Sequence, residues 1–209
     1  MFGIENYLTF LISGIILNLT PGQDTLYILG RSTAQGKNAG IASALGIGAG
    51  SIVHTLAAAF GLSIILMKSA LAFEIICYAG AAYLIYLGIQ MLIRKNNSEG
   101  KNFELKNLSY ASLFRKGMMT NILNPKVALF YLSFLPQFVN PQNEYGALPF
   151  IVLGLTFVIT GTAWCIVLAA FSSMFTKTLR EKPFYKTMLD KVSGGIFILL
   201  GIKMALQKR

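Results

Sequence analysis

The sequence predicts an all-α integral membrane protein in which six transmembrane helices form two inverted three-helix repeats. Three observations predict this fold class. Hydrophobic residues make up 55% of the 209 residues and charged residues only 12%, whereas soluble domains carry roughly 25% charged residues. Six apolar segments are long enough to cross a bilayer, and the two halves of the chain share motifs in the same order.

The six apolar segments are the candidate spans, and each is near the roughly 20 residues that cross a hydrocarbon core of roughly 30 Å. They are Ile4–Leu29, Ile41–Met67, Leu71–Ile93, Gly117–Phe138, Leu148–Phe175 and Leu189–Leu206. The first five residues carry no positive charge, and the first segment has no small-residue cleavage site. We therefore expect no cleaved signal and insertion through the first span.

Basic residues are concentrated in three alternate loops and give the chain its net charge of +10. These loops carry 13 of the 18 basic residues, namely Arg31, Lys37, Arg94, Lys95, Lys101, Lys106, Arg115, Lys116, Lys177, Arg180, Lys182, Lys186 and Lys191. The opposite side carries four, namely Lys68, Lys203, Lys208 and Arg209. Because cytoplasmic loops are enriched in lysine and arginine, we predict a multi-pass protein of the bacterial plasma (inner) membrane with both termini outside the cytoplasm. The basic excess thus indicates topology and not a nucleic-acid partner.

Three pairs of motifs relate the two halves of the chain. Residues 19–21 resemble residues 123–125, residues 50–60 align without gaps with residues 161–171, and residues 87–91 resemble residues 200–204. The offsets of 104, 111 and 113 residues follow the order of the chain. Such a series predicts a duplication with small insertions.

An odd number of spans in each half makes the second copy enter the membrane from the opposite side. This inverted repeat is the plan of many secondary transporters, whose substrate site lies between broken helices near the midplane. We predict a single membrane domain over residues 1–209, with the first repeat at about 1–95, a cytoplasmic linker at about 96–112 and the second repeat at about 113–209.

The first span contains a segment, Asn18–Asp24, that predicts a broken helix. It reads NLTPGQD. Pro21 removes a backbone donor and clashes with the preceding turn, and Gly22 weakens the helix further. Asp24 then falls in the first turn of the second half-helix, where the helix dipole favours a negative charge. Free backbone groups and a carboxylate are costly in lipid, so this segment predicts a site.

The fourth span contains a second break, Asn121–Lys126, which reads NILNPK. Both Pro125 and Pro21 lie roughly 13–15 Å from the predicted inner face at a rise of 1.5 Å per residue, so Asp24 and Lys126 are predicted at similar depth. A carboxylate and an ammonium there predict a pocket for a small amino acid. Asp24 would take the substrate ammonium, and Lys126 with the amides after the breaks would take its carboxylate. The alternative is a permanent salt bridge that locks two helices together.

Polar neighbours of the two breaks are further candidates. Thr20, Asn18, Asn121 and Asn124 can donate or accept hydrogen bonds and cap the broken backbone. His54 in the second span is either a proton relay or a histidine that bonds to a neighbouring helix.

Several classes of site are not supported by the residue types present. The two cysteines, Cys77 and Cys165, have no metal-ligand spacing, and one histidine cannot form a multi-histidine site. We therefore expect no metal, no cofactor and no enzyme activity. The motif Gly46-x-x-x-Gly50 allows close helix contact, which favours packing within the chain over a dimer interface. A homo-oligomer is left open.

The same residues resemble a known family. Asn18–Asp24, followed by Arg31, Ser32 and the glycine-rich second span, is similar to the signature of the lysine exporter / homoserine–threonine resistance (LysE/RhtB) family of amino-acid exporters. Asn124–Lys126 matches that family's second motif. The resemblance covers nearly the whole chain. Gln23 stands where the family pattern usually has proline, which leaves one helix breaker instead of two after Thr20.

The resemblance implies export of amino acids or related metabolites from the cytoplasm, driven by the proton gradient. It implies functional positions at Thr20, Pro21, Gly22, Asp24, Asn124, Pro125 and Lys126. We expect alternating access about a midplane site, with Asp24 as the carrier of the coupling proton. An ion or small-solute channel on the same scaffold is the first alternative. A membrane-embedded enzyme and a non-transporting membrane subunit are the others.

Overall fold

The computed structural model describes residues 2–93, 107–174 and 183–206, and these residues are almost entirely helical. The helices are α1 (Tyr7–Leu19), α2 (Gln23–Gln35), α3 (Lys37–Lys68), α4 (Ala70–Ile93), α5 (Tyr110–Ile122), α6 (Pro125–Phe134), α7 (Leu148–Ala170) and α8 (Pro183–Leu206), with a 3-10 helix at Leu135–Phe138. Extended pairing within the described ranges is limited to an isolated bridge between Ile4 and Val139. The predicted all-α class is confirmed.

Within the described ranges, three helices are long and apolar enough to cross a membrane, namely Lys37–Lys68, Leu71–Ile93 and Leu148–Ala170. The predicted first and fourth spans each consist of two shorter helices, because both are broken where the prolines predicted it. The predicted sixth span falls within α8. The count of six spans and the inverted orientation of the repeats stay predictions.

The helix bounds differ from the predicted bounds at several ends. α3 begins at Lys37, ahead of the predicted Ile41, because Gly36 at φ +86° ends α2 and starts α3 without a longer loop. α7 ends at Ala170, ahead of the predicted Phe175. Residues 94–106 and 175–182 lie outside the described residues, so most of the predicted linker at 96–112 and the basic residues at 177, 180 and 182 do too.

The central helix, α3, packs along α5 and α7, and α4 packs along α8. Gly46 and Gly50 set the approach of α3 to α5. A methyl group at Gly46 would overlap the carbonyl oxygen of Phe114, and one at Gly50 would lie 2.8 Å from the carbonyl oxygen of Met118. The prediction that this glycine pair serves packing within the chain is confirmed.

Aromatic side chains hold α6 against its neighbours. Phe130 lies 4.7 Å from Phe134 on the same helix and 4.6 Å from Phe157 of α7, measured between ring centroids. Phe10 of α1 stacks on Phe134 at 5.6 Å. Such pairs add to the burial of apolar area. They fix α6, and with it the second break, relative to α1 and α7.

The glycine contact of α3 can be tested by substitution. We expect Gly46→Ala to lower the free energy of unfolding by about 1–3 kcal/mol, because α5 backbone must move to admit the methyl group. Gly61→Ala on the same helix is the matched control, since beyond the adjoining helix backbone no atom of the described residues lies within 4 Å of its added methyl group. Alanine is the better helix former, so the control should unfold at the same temperature or higher. Thermal unfolding in detergent measures both, and equal melting temperatures would contradict the packing role.

Candidate functional site

The first break separates α1 from α2 by three residues. Thr20 leaves the helix with an extended backbone (ψ 118°), while its N–H still bonds to the carbonyls of Ile16 and Leu17. Its hydroxyl lies 2.9 Å from the Ile16 carbonyl oxygen and 2.8 Å from Ser193 Oγ of α8. Thr20 therefore satisfies the end of α1 and joins it to α8. At the start of α2, the N-cap is Gly22, which has no side chain to cap the helix.

The second break differs from the first because the helix that follows it has a side-chain N-cap. Asn124 is the N-cap of α6, and its Oδ1 accepts a hydrogen bond from the backbone N–H of Lys126 at 3.1 Å. Pro125 occupies the first helical position, where the missing N–H costs nothing. The helix after the second break thus carries its own cap, whereas the helix after the first break does not.

The charged residue of each break reaches toward the opposite break. The Asp24 carboxylate accepts a hydrogen bond from Asn121 Nδ2 at 2.8 Å and one from Asn124 Nδ2 at 3.3 Å. The Lys126 Nζ atom lies 3.8 Å from the position of a Cβ atom added to Gly22. The structure therefore brings Asp24 and Lys126 into one site, as the sequence predicted.

Asn121 bonds to two other helices at the site through its side chain and its backbone oxygen. It is 1% exposed. Its Oδ1 accepts a hydrogen bond from Ser51 Oγ of α3 at 3.2 Å, and its Nδ2 donates to Asp24. Its backbone oxygen lies 3.1 Å from His54 Nε2. One residue thus joins α3, α5 and the carboxylate of α2.

His54 and Asn18 make contacts between helices beside this network. The His54 ring stacks on Tyr131 at 5.6 Å and faces the Asn121 carbonyl. This geometry confirms the interpretation of a histidine bonded to a neighbouring helix, and a proton relay stays a prediction. Asn18 Nδ2 donates to Thr160 Oγ1 of α7 at 3.3 Å.

A cavity of about 60 Å³ opens between the two breaks. Its polar lining is Asn18, Thr20, Asp24, Thr25, Ser51, Asn121, Asn124, Lys126 and Thr162, and its apolar lining is Leu17, Ile47, Val127, Phe157, Trp164 and Cys165. No group of three metal-ligating side chains occurs in the described ranges. The cavity therefore pairs two opposite charges with an apolar wall.

The sequence did not identify Ser51, Phe157 or Ser193 as neighbours of the site. Ser51 lies three residues before His54, on the same helix face, and that spacing is a signal that could have pointed to it. The contact of Ser193 with Thr20 and the approach of Phe157 to Gly14 join elements more than a hundred residues apart in the chain. No local pattern specifies such pairs.

The chain is similar to known proteins over most of its length. A family model described as LysE type translocator matches residues 15–208. The chain is 29% identical to the uncharacterized membrane protein YrhP of Bacillus subtilis (strain 168), over 97% of this chain and 100% of that protein. It is 26% identical to proteins named leucine efflux protein in Salmonella choleraesuis and Salmonella typhimurium, over 98% of this chain and 96% of each relative. No solved structure matches the chain.

The family match extends over most of the chain and includes both breaks and every residue that lines the cavity. The chain belongs to the LysE type translocator family. It is a membrane transporter and not an enzyme.

Substitutions of Asn124 can separate its role as the N-cap of α6 from its hydrogen bond to Asp24. Asn124→Ala removes both the acceptor for the Lys126 N–H and the donor to Asp24, whereas Asn124→Ser keeps a good N-cap and loses the donor. N-cap loss costs about 1 kcal/mol, so we expect the alanine variant to unfold more easily than the serine variant by about that amount. Thermal unfolding of the two variants in one detergent measures the difference. Identical stabilities would show that the cap contributes nothing.

Proposed function

We propose that this chain is a secondary active transporter that exports an amino acid, or a related small metabolite, from the cytoplasm in exchange for protons. Membership of a translocator family supports transport. The observation that carries the substrate class is the pair of opposite charges, Asp24 and Lys126, on one cavity between two helix breaks. A zwitterion complements such a pair, because each of its charges would otherwise be desolvated without a partner.

Each end of the substrate has a distinct partner in this proposal. Asp24 takes the ammonium group. Lys126 takes the carboxylate, together with the first-turn N–H groups of α2, which Gly22 leaves without a side-chain cap. The first turn of α6 is less suited to this role, because Asn124 already caps it. Carboxylates are stabilised at helix N-termini by the N–H groups and by the helix dipole.

The apolar wall supports a substrate with an apolar side chain. Leu17, Ile47, Val127 and Phe157 line the cavity and can bury such a side chain. The Salmonella relatives are named leucine efflux proteins, which agrees with this choice. A charged substrate side chain would lose its hydration at this wall without gaining a partner.

The size of the cavity supports alternating access. Sites that hold a small molecule commonly enclose roughly 300–1,000 Å³, against about 60 Å³ here. Substrate entry therefore requires the helices around the cavity to move apart on one side. We propose that two inverted repeats of three spans rock about this site, with both termini outside the cytoplasm and Asp24 carrying the proton.

Transport into inside-out membrane vesicles tests the proposal. With an acidic lumen, labelled leucine should accumulate against its gradient in vesicles that carry the protein. Asp24→Asn should abolish gradient-driven accumulation, because the amide cannot exchange a proton. Lys126→Met should abolish both accumulation and exchange of labelled for unlabelled leucine, because it removes the carboxylate partner.

Matched controls separate the site from charge in general. Glu144→Gln and Lys203→Met change one carboxylate and one ammonium outside the cavity, and both should transport as the unsubstituted protein does. Gradient-driven accumulation by Asp24→Asn would exclude Asp24 as the proton carrier. Passive ion conductance with no accumulation would replace the exporter with a channel and make the charge pair a gate or a structural lock.

The substrate side chain can be tested by exchange with a matched pair of amino acids. Leucine and asparagine have similar shapes and differ in polarity. We expect leucine to exchange at least about fivefold faster, since even a partly unsatisfied buried amide costs about 1–3 kcal/mol. Competition by unlabelled amino acids against labelled leucine measures the ratio. Equal competition by asparagine would remove the apolar subsite from the proposal.

A further inference from the structure

The geometry points to a switch in the hydrogen bonds around Asp24. We propose that Ser51 and Asn121 are positioning residues. The Asn121 side-chain amide flips, exchanging the places of its oxygen and nitrogen, when Asp24 gains or loses its proton. The inference rests on the proposed function in one respect, namely that Asp24 carries a proton during transport. It adds how the site accommodates both forms of the carboxyl group.

The present orientation of the Asn121 amide follows from the chemistry of its partners. An ionised carboxylate only accepts hydrogen bonds, so the amide turns its NH₂ group to Asp24, with Nδ2 at 2.8 Å from Oδ2. The amide oxygen then faces Ser51, whose hydroxyl donates to it at 3.2 Å. A hydroxyl is both a donor and an acceptor. Ser51 can therefore partner either end of the amide.

Asn124 differs from Asn121 in this respect. Its Oδ1 accepts from the backbone N–H of Lys126 at 3.1 Å, and a backbone N–H can only donate. Turning the Asn124 amide would place its NH₂ group against this N–H and remove the cap of α6. The Asn124 amide is therefore held in one orientation, whereas the Asn121 amide has two.

The difference between the two amides determines where the proton is placed. The Asp24 oxygen that faces Asn124, Oδ1, always meets an NH₂ group and cannot donate there. The oxygen that faces Asn121, Oδ2, can donate once that amide has turned. Asn121 Nδ2 then donates to Ser51 Oγ, and the serine hydrogen turns to the carbonyl four residues earlier on its own helix, at Ile47. Every group keeps a partner in both states.

The surroundings confine the change to side chains. The Asn121 backbone oxygen lies 3.1 Å from His54 Nε2 and accepts from the Asn124 backbone N–H at 3.0 Å, so the main chain is held. The described titratable groups that face Asp24 are His54 on α3, Lys126 on α6 and Cys165 on α7.

The pH dependence of transport tests the role of Ser51. Ser51→Ala removes this hydroxyl and destabilises the site in both the ionised and the protonated form of Asp24. The ionised form of Asp24 loses more stabilisation, because hydrogen bonds to an ionised group are roughly twice as strong as neutral ones. Ser51 also polarises the Asn121 amide that donates to the Asp24 carboxylate. Asp24 of the variant should keep its proton to higher pH. The pH of half-maximal leucine accumulation should therefore rise by about 0.5 units, which corresponds to about a threefold higher proton affinity.

Two further variants exclude a general packing effect. Ser51→Thr keeps the hydroxyl and should restore the pH of half-maximal accumulation. Ser43→Ala removes a buried hydroxyl from the same helix, one that bonds to the Ala39 carbonyl of its own helix, and should keep the original pH profile. The same shift in Ser43→Ala and Ser51→Ala would overturn the proposal.

A direct measurement does not depend on any variant. In ¹⁵N-labelled protein, the side-chain amide signals of Asn121 should move with pH at the midpoint at which Asp24 titrates, while those of Asn124 move much less. Asn121 signals that stay constant would overturn the switch and leave proton-coupled export intact. Transport without any proton dependence would overturn the proposed function instead. The two failures are therefore distinguishable.

Discussion

The site depends on one constraint, which is the partial burial of the Asp24 carboxylate against the second half of the chain. A carboxylate that loses its water needs donors in return, and Asn121 and Asn124 supply them from opposite sides of the second break. Two asparagines are suited to this, because each offers an acceptor at its other end. Asn124 uses that acceptor to cap α6 and Asn121 uses it to bond α3. The same two bonds therefore hold the charge and join the breaks.

The two breaks are related in sequence but differ in what they leave open. α6 begins with a proline at its first position and an asparagine cap, so its first turn is satisfied within the break. α2 begins after Gly22 with no side-chain cap, and Lys126 reaches to that point. The second break thus begins a helix that is already capped and positions hydrogen-bond donors. The first break begins a helix whose uncapped N-terminus lies at the cavity. Two similar motifs therefore have different structural roles.

Local features were predictable from the sequence, and long-range contacts were not. The breaks at Pro21 and Pro125 follow from the chemistry of proline, and Asn124 as a cap follows from its place before a helix. The meeting of Asp24 with Lys126 followed from their predicted depth. The bond of Thr20 to Ser193 and the contact of Asn121 with Ser51 depend on how distant helices are aligned. No spacing in the chain specifies that alignment.

The alignment of α3 with α5 is set by small residues, and this links packing to the site. Gly50 lies against the Asn121 side chain, where an added methyl group would come 2.8 Å from Asn121 Cβ. Its neighbour Ser51 bonds the amide oxygen of the same residue, and His54 faces its backbone oxygen. Because these three residues lie within about one helical turn, any shift of α3 along α5 changes all three contacts together. Close packing at glycine is therefore what keeps the donor to Asp24 in place.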